Sequence, residues 1–148
     1  MNTRVHGVTS LGIAGIATVI ATVMLFQQSG MLGLGYLMAL VVAGGGVIYA
    51  DCAKCPCRTH CGHILPGKLA VMLTNRKTEP YTPIEFAVIG GLVVILIGLP
   101  LLWLWRSPLL LGVFVILNAV AGIQIRTVLC RACDNTYCPG NSRYSTKN

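Results

Sequence analysis

From Gly7 to Ala50 the chain runs for 44 residues without a charged side chain. Two bilayer crossings need about 20 residues each and a turn between them, and Gln27-Gln28-Ser29-Gly30 supplies a polar turn in mid-run. Two further uncharged stretches, Phe86 to Trp105 and Ser107 to Ile125, are parted by Arg106, with Pro108 near the start of the last. The pattern predicts an all-α membrane protein with four transmembrane helices, at about Val8 to Phe26, Met31 to Tyr49, Ile84 to Trp105 and Leu109 to Ile125. A composition of 55% hydrophobic and 10% charged residues belongs to the same class. Arg4 ahead of an apolar core also suits a cleaved leader. That reading is set aside because the run is too long, leads straight into a second crossing, and is followed by no small-residue cleavage site.

Basic residues set the expected orientation, since short cationic segments are retained in the cytoplasm. With an even number of crossings, Arg4, the central loop (Lys54, Arg58, Lys68, Arg76, Lys77) and the tail (Arg126, Arg131, Arg143, Lys147) share one side, against Arg106 alone. The termini and the cysteines are therefore expected in the cytoplasm, in a multi-pass protein of the cell membrane. The net charge of +7 follows from this topology and from attraction to anionic head groups of membrane lipids, and it argues for no nucleic-acid partner. Trp103 and Trp105, near the short turn on the far side, suit an interfacial belt.

The two halves of the chain repeat each other. Val42-Ala43-Gly44 precedes Cys52-x-x-Cys55 by seven residues, and Val120-Ala121-Gly122 precedes Cys130-x-x-Cys133 by seven, an offset of 78 that also aligns Gly12 with Gly90 and Gly30 with Pro108. The expectation is one membrane domain made of two tandem hairpins. Repeat 1 covers 8–63, a loop 64–83, repeat 2 84–140 and a polar tail 141–148. Each copy crosses twice, so the copies share an orientation and are related by a pseudo-two-fold axis along the membrane normal. Ala14, Thr18 and Thr22 with Ala17 and Ala21 give the first crossing a small-residue face for close helix packing. Asn118, a strongly polar side chain near the middle of a crossing, is expected to hydrogen-bond between helices. Gly44-Gly45-Gly46 is a candidate for loosening the second crossing near its end.

All seven cysteines lie outside the predicted crossings, although free cysteine is readily buried in apolar surroundings. They are placed for chemistry. Cys52, Cys55, Cys130 and Cys133 form two Cys-x-x-Cys pairs at the ends of related helices, and four converging thiolates suit a tetrahedral zinc site. Cys57, His60, Cys61, His63 and Cys138 make a second group of mixed thiolate and imidazole donors. An iron-sulfur cluster is the main alternative to zinc. Cys55-Pro56 and Cys138-Pro139 carry proline after cysteine as bacterial ferredoxins do, but the ferredoxin spacing is missing. A redox dithiol is a third reading, for which the ligands are too many. Structural disulfides are disfavoured by the expected cytoplasmic placement and the odd count.

Gly62 to Lys68 matches a phosphate-binding loop as far as its lysine, but Leu69 stands where a hydroxyl should hold magnesium. Leu69 to Leu73 reads instead as a short apolar segment on the membrane surface or over the metal site. The four acids, Asp51, Glu79, Glu85 and Asp134, show no spacing suited to acid and base catalysis. Three function classes remain: a structural or anchoring subunit whose metal cap joins the hairpins and meets other protein subunits on the cytoplasmic side; an electron-transfer subunit with an iron-sulfur centre; and a soft-metal transporter or sensor. The last is weakest, because the predicted crossings offer an ion no cysteine, histidine or carboxylate to step along.

Overall fold

A computed structural model of the chain describes residues 3–58, 64–73, 79–133 and 135. Among these it is helical and contains no strand. The first hairpin pairs α1 (Thr3–Gln28) with α2 (Gly30–Val47), and the second pairs α4 (Pro83–Leu104) with α5 (Pro108–Gln124). A short helix, α3 (Ile64–Leu73), lies between the hairpins, and a final turn, α6 (Cys130–Ala132), follows the second. Four helices are long and apolar enough to cross a membrane: Arg4–Gln28, Gly30–Cys52, Pro83–Leu104 and Pro108–Ala132. Only 11% to 22% of each span is buried inside the protein, so apolar side chains face outward on every side. That is the surface a lipid solvent requires, where a soluble bundle would hide it.

Both hairpins turn at a serine. Ser29 and Ser107 occupy the N-cap positions of α2 and α5, and their carbonyls accept from Gly33 N (3.1 Å) and Leu111 N (2.9 Å). Arg106 Nη1 donates to Gln28 Oε1 at 3.4 Å, tying the two turns together at that end. The first turn is tight enough that a Cβ at Gly33 would overlap the Phe26 ring.

The helices form a ring, α1 against α2 and α5, and α4 against both α2 and α5, with α1 also touching α4. Ala17, Ala21 and Leu25 of α1 pack with Tyr36, Leu104 and Phe114 in the core. The small face expected on the first crossing is therefore used through Ala17 and Ala21. Thr18 and Thr22 bond back to the carbonyls of Ala14 (2.9 Å) and Thr18 (2.8 Å) on their own helix. Asn118 departs from expectation in the same way: its Nδ2 donates to Phe114 O at 2.9 Å within α5, which satisfies the amide without a second helix.

Pro100 lies inside α4 and is buried. Proline has no N–H, so the carbonyl four residues back loses its helical donor. That carbonyl belongs to Leu96, and the Tyr36 hydroxyl of α2 donates to it at 3.1 Å. An unpaired carbonyl in an apolar interior costs about 1–3 kcal/mol. Tyr36→Phe is expected to lower the thermal stability of the detergent-solubilised protein by that amount, and Tyr36→Phe with Pro100→Ala to recover it; equal stability of wild type and Tyr36→Phe would show that the bond contributes nothing.

At the other end, α2 and α5 each widen. Ile48–Cys52 and Ile125–Leu129 are π-helical turns, closed by Ala53 N on Ile48 O (2.9 Å) and by Cys130 N on Ile125 O. The first begins just past Gly44-Gly45-Gly46, where glycines lower the resistance of an α-helix to unwinding. α3 packs on this π-turn and touches α1. Its Pro66, Gly67 and Lys68 are inside the helix rather than in a loop, which removes the phosphate-loop reading. Finally, α1 begins at Thr3, ahead of the predicted Val8, which puts His6 on the helix, where Gln124 Nε2 approaches its Nδ1 at 3.3 Å.

Candidate metal centre

The π-turns deliver two cysteine pairs to the same end of the bundle. Each pair is then wound through one further turn, with Cys55 N donating to Cys52 O at 3.3 Å and Cys133 N to Cys130 O at 3.4 Å. The Sγ atoms of Cys55, Cys57 and Cys133 all lie within 4.8 Å of one another, and all three residues are half-buried. A tetrahedral zinc with Zn–S bonds of about 2.3 Å holds its sulfurs roughly 3.8 Å apart. Sulfurs this close can all reach one ion.

The trio draws two ligands from the expected paired set, Cys55 and Cys133, and takes Cys57 from the second group. Cys52 and Cys130 are half-buried and stand outside it. His60, Cys61, His63 and Cys138 fall outside the described residues. A one-residue gap after Cys55 lets Cys57 turn back toward the same point, a geometry the two-residue gap of Cys-x-x-Cys does not advertise.

Three sulfurs so close cannot all ionise without a cation. The hydrogen bond that Cys55 shares with Cys133, followed by burial, pushes the Cys55 thiol far above the ordinary thiol range. A cation at their centre would take the place of that shared proton.

The surroundings of the trio were not foreseen from sequence. Asn135 is buried, at 2% exposure, and its Nδ2 donates to Cys55 Sγ at 3.5 Å and to Tyr81 Oη at 3.4 Å. The Tyr81 hydroxyl in turn donates to Asp51 O at 3.0 Å. Burial, chiefly, raises the Tyr81 phenol far above its ordinary value, so it remains a donor. Behind the trio, Lys54 Nζ lies 2.8 Å from a Glu85 carboxylate oxygen, with side-chain exposures of 5% and 17%. Glu85 also closes a capping box with Thr82 at the start of α4. Arg58 Nη1 folds back onto Ala53 O at 2.9 Å. Lys54 and Arg58 are thus engaged in holding the cap. The sequence signal for the Lys54 pair is the scarcity of acids: few carboxylates exist to meet a lysine drawn beneath the surface.

No known protein family, characterised protein or solved structure matches this chain.

Proposed function

We propose that the chain is a membrane protein of two duplicated hairpins, tied to each other by one thiolate-held ion of the zinc class at the cytoplasmic face, and that it serves as a structural or anchoring subunit of a membrane assembly. The observation that carries this reading is the trio itself. Cys55 and Cys57 come from the first hairpin and Cys133 from the second, so a single ion bridges the halves. Compactness favours one ion over an iron-sulfur cluster, which seats its cysteines on separate irons with sulfides between them and so spreads them more widely.

Support for the duplication lies in residues 78 apart that play the same part. Tyr36 and Phe114 are both buried aromatics, Ala43 and Ala121 are both buried, Ser29 and Ser107 both cap, and Cys55 and Cys133 both join the trio. The π-turns begin 77 apart, one residue out of step. The ring of helices also has the order that a two-fold exchange of hairpins leaves unchanged. The cytoplasmic assignment rests on ten basic residues at the cysteine end against Arg106 at the other. Metal is needed there because the 33 residues from Asp51 to Pro83 hold too little apolar bulk to fold on their own. Cys52, Cys130, His60, Cys61, His63 and Cys138 remain as donors for a second ion.

Elemental analysis of anaerobically purified protein in detergent, with its visible spectrum, tests the reading. One or two zinc ions per chain and no visible band are expected, with chelation loosening the cap. Iron with labile sulfide and a broad visible band would overturn it in favour of an electron carrier.

A further inference from the structure

Spacing along the chain pairs Cys52 with Cys55 and Cys130 with Cys133, but the sulfurs meet in another combination. Those of Cys55, Cys57 and Cys133 lie within 4.8 Å of one another, and those of Cys52 and Cys130 are not in that group. We infer that Cys55 and Cys133 form a site of reversible oxidation, at which a peroxide joins the two hairpins through one disulfide.

Three observations select this pair. The side chains of Cys55 and Cys133 are in direct hydrogen-bonded contact. Asn135 Nδ2, itself held against Tyr81 Oη at 3.4 Å, donates to Cys55 Sγ at 3.5 Å and so fixes where that sulfur sits. All three cysteines of the group are half-buried, which leaves them open to a molecule as small as hydrogen peroxide. Cys57 competes poorly for Cys55, because a disulfide between residues two apart closes a small ring through Pro56, whose φ is fixed, and a strained disulfide is easily reduced.

One thiol of the pair attacks the peroxide, the O–O bond breaks, and a sulfenic acid and one water form. The second thiol then displaces the hydroxyl as a second water, and the S–S bond closes. The two sulfurs give up two electrons in all, which the peroxide takes up. A thiol reductant reverses the step, as expected of a disulfide formed in a reducing compartment. An ion held by the trio would lose two of its three sulfurs and depart. Release of the ion rests on the metal reading above, whereas the cross-link needs no ion. Oxidation would thus exchange one tie between the hairpins for another.

The test uses the full-length protein in detergent, treated with hydrogen peroxide, then denatured, alkylated and digested with trypsin. Cys55 falls in peptide 55–58 and Cys133 in peptide 132–143. The expected product is these two peptides linked, with the alkyl label on Cys57 and Cys138, and it should vanish after a thiol reductant. Cys52→Ser and Cys130→Ser are expected to leave the link in place. Zinc should leave the wild-type protein in step with formation of the link. A link carried by Cys57 or Cys138 would overturn the inference, as would disulfides within the Cys-x-x-Cys pairs as the main product, or thiols that resist peroxide. A Cys55 to Cys133 link formed in protein that contains no metal would uphold the inference and defeat the metal reading.

Discussion

Cys133→Ser is expected to abolish metal retention, from about one ion per chain at the trio to none after desalting, because a neutral hydroxyl replaces a charged, soft thiolate. The consequence for stability is bounded. An ion joining Cys55 to Cys133 closes a loop across 78 residues, and in an otherwise free chain closure of that length contributes at most about 4–5 kcal/mol. This chain is not free, since α1 packs on both α2 and α5 and already holds the two helix ends near each other. The loss should fall on the cap. Limited proteolysis is expected to cut the Cys133→Ser protein in the segment that follows Cys52 while the helical circular dichroism of the four spans persists. Full metal content in the variant would remove Cys133 from the ligands, and collapse of the whole bundle would show that the ion holds more than the cap.

Glu85→Gln is expected to destabilise the protein by about 1–3 kcal/mol, the cost of leaving a buried donor without its partner. Lys54 is almost fully buried and Glu85 is not, so the lysine is the partner left stranded. Glutamine preserves the capping box, because its amide oxygen still accepts from Thr82 N. The measured loss then reports charge rather than capping. Adding Lys54→Met should return most of the stability, since two neutral side chains carry no uncompensated charge. Thermal unfolding in detergent distinguishes the outcomes; a Glu85→Gln protein as stable as wild type would mean that Lys54 reaches another anion.

The spans were legible because lipid imposes one rule on them, length and freedom from charge, and each predicted crossing overlaps an observed helix. What lipid does not constrain was less legible. Asn118 was misjudged because a helix carbonyl one turn back is as good an acceptor as a neighbouring helix. The Tyr36 to Leu96 bond had a signal that went unused, a proline in an apolar span whose missing N–H must orphan a carbonyl. The cysteines were recognisable by type, but spacing alone does not say which sulfurs meet. Cys57, grouped by spacing with the mixed donors, lies beside Cys55 and Cys133, while Asn135 offered no signal of its place against Cys55.

The two π-turns each take up one residue while keeping the helix in phase. A helix advances about 100° per residue, and a π-turn absorbs one residue more than an α-turn over the same rise. Deleting one residue from Ile48–Cys52 with a return to α geometry is therefore expected to leave the following cysteines nearly in place, whereas deleting one from the regular helix before it would swing them by about 100°. Between buried Ala43 and Cys55, and again between Ala121 and Cys133, the π-turn is consequently the place where the chain can lose one residue and still deliver its cysteines to the same end.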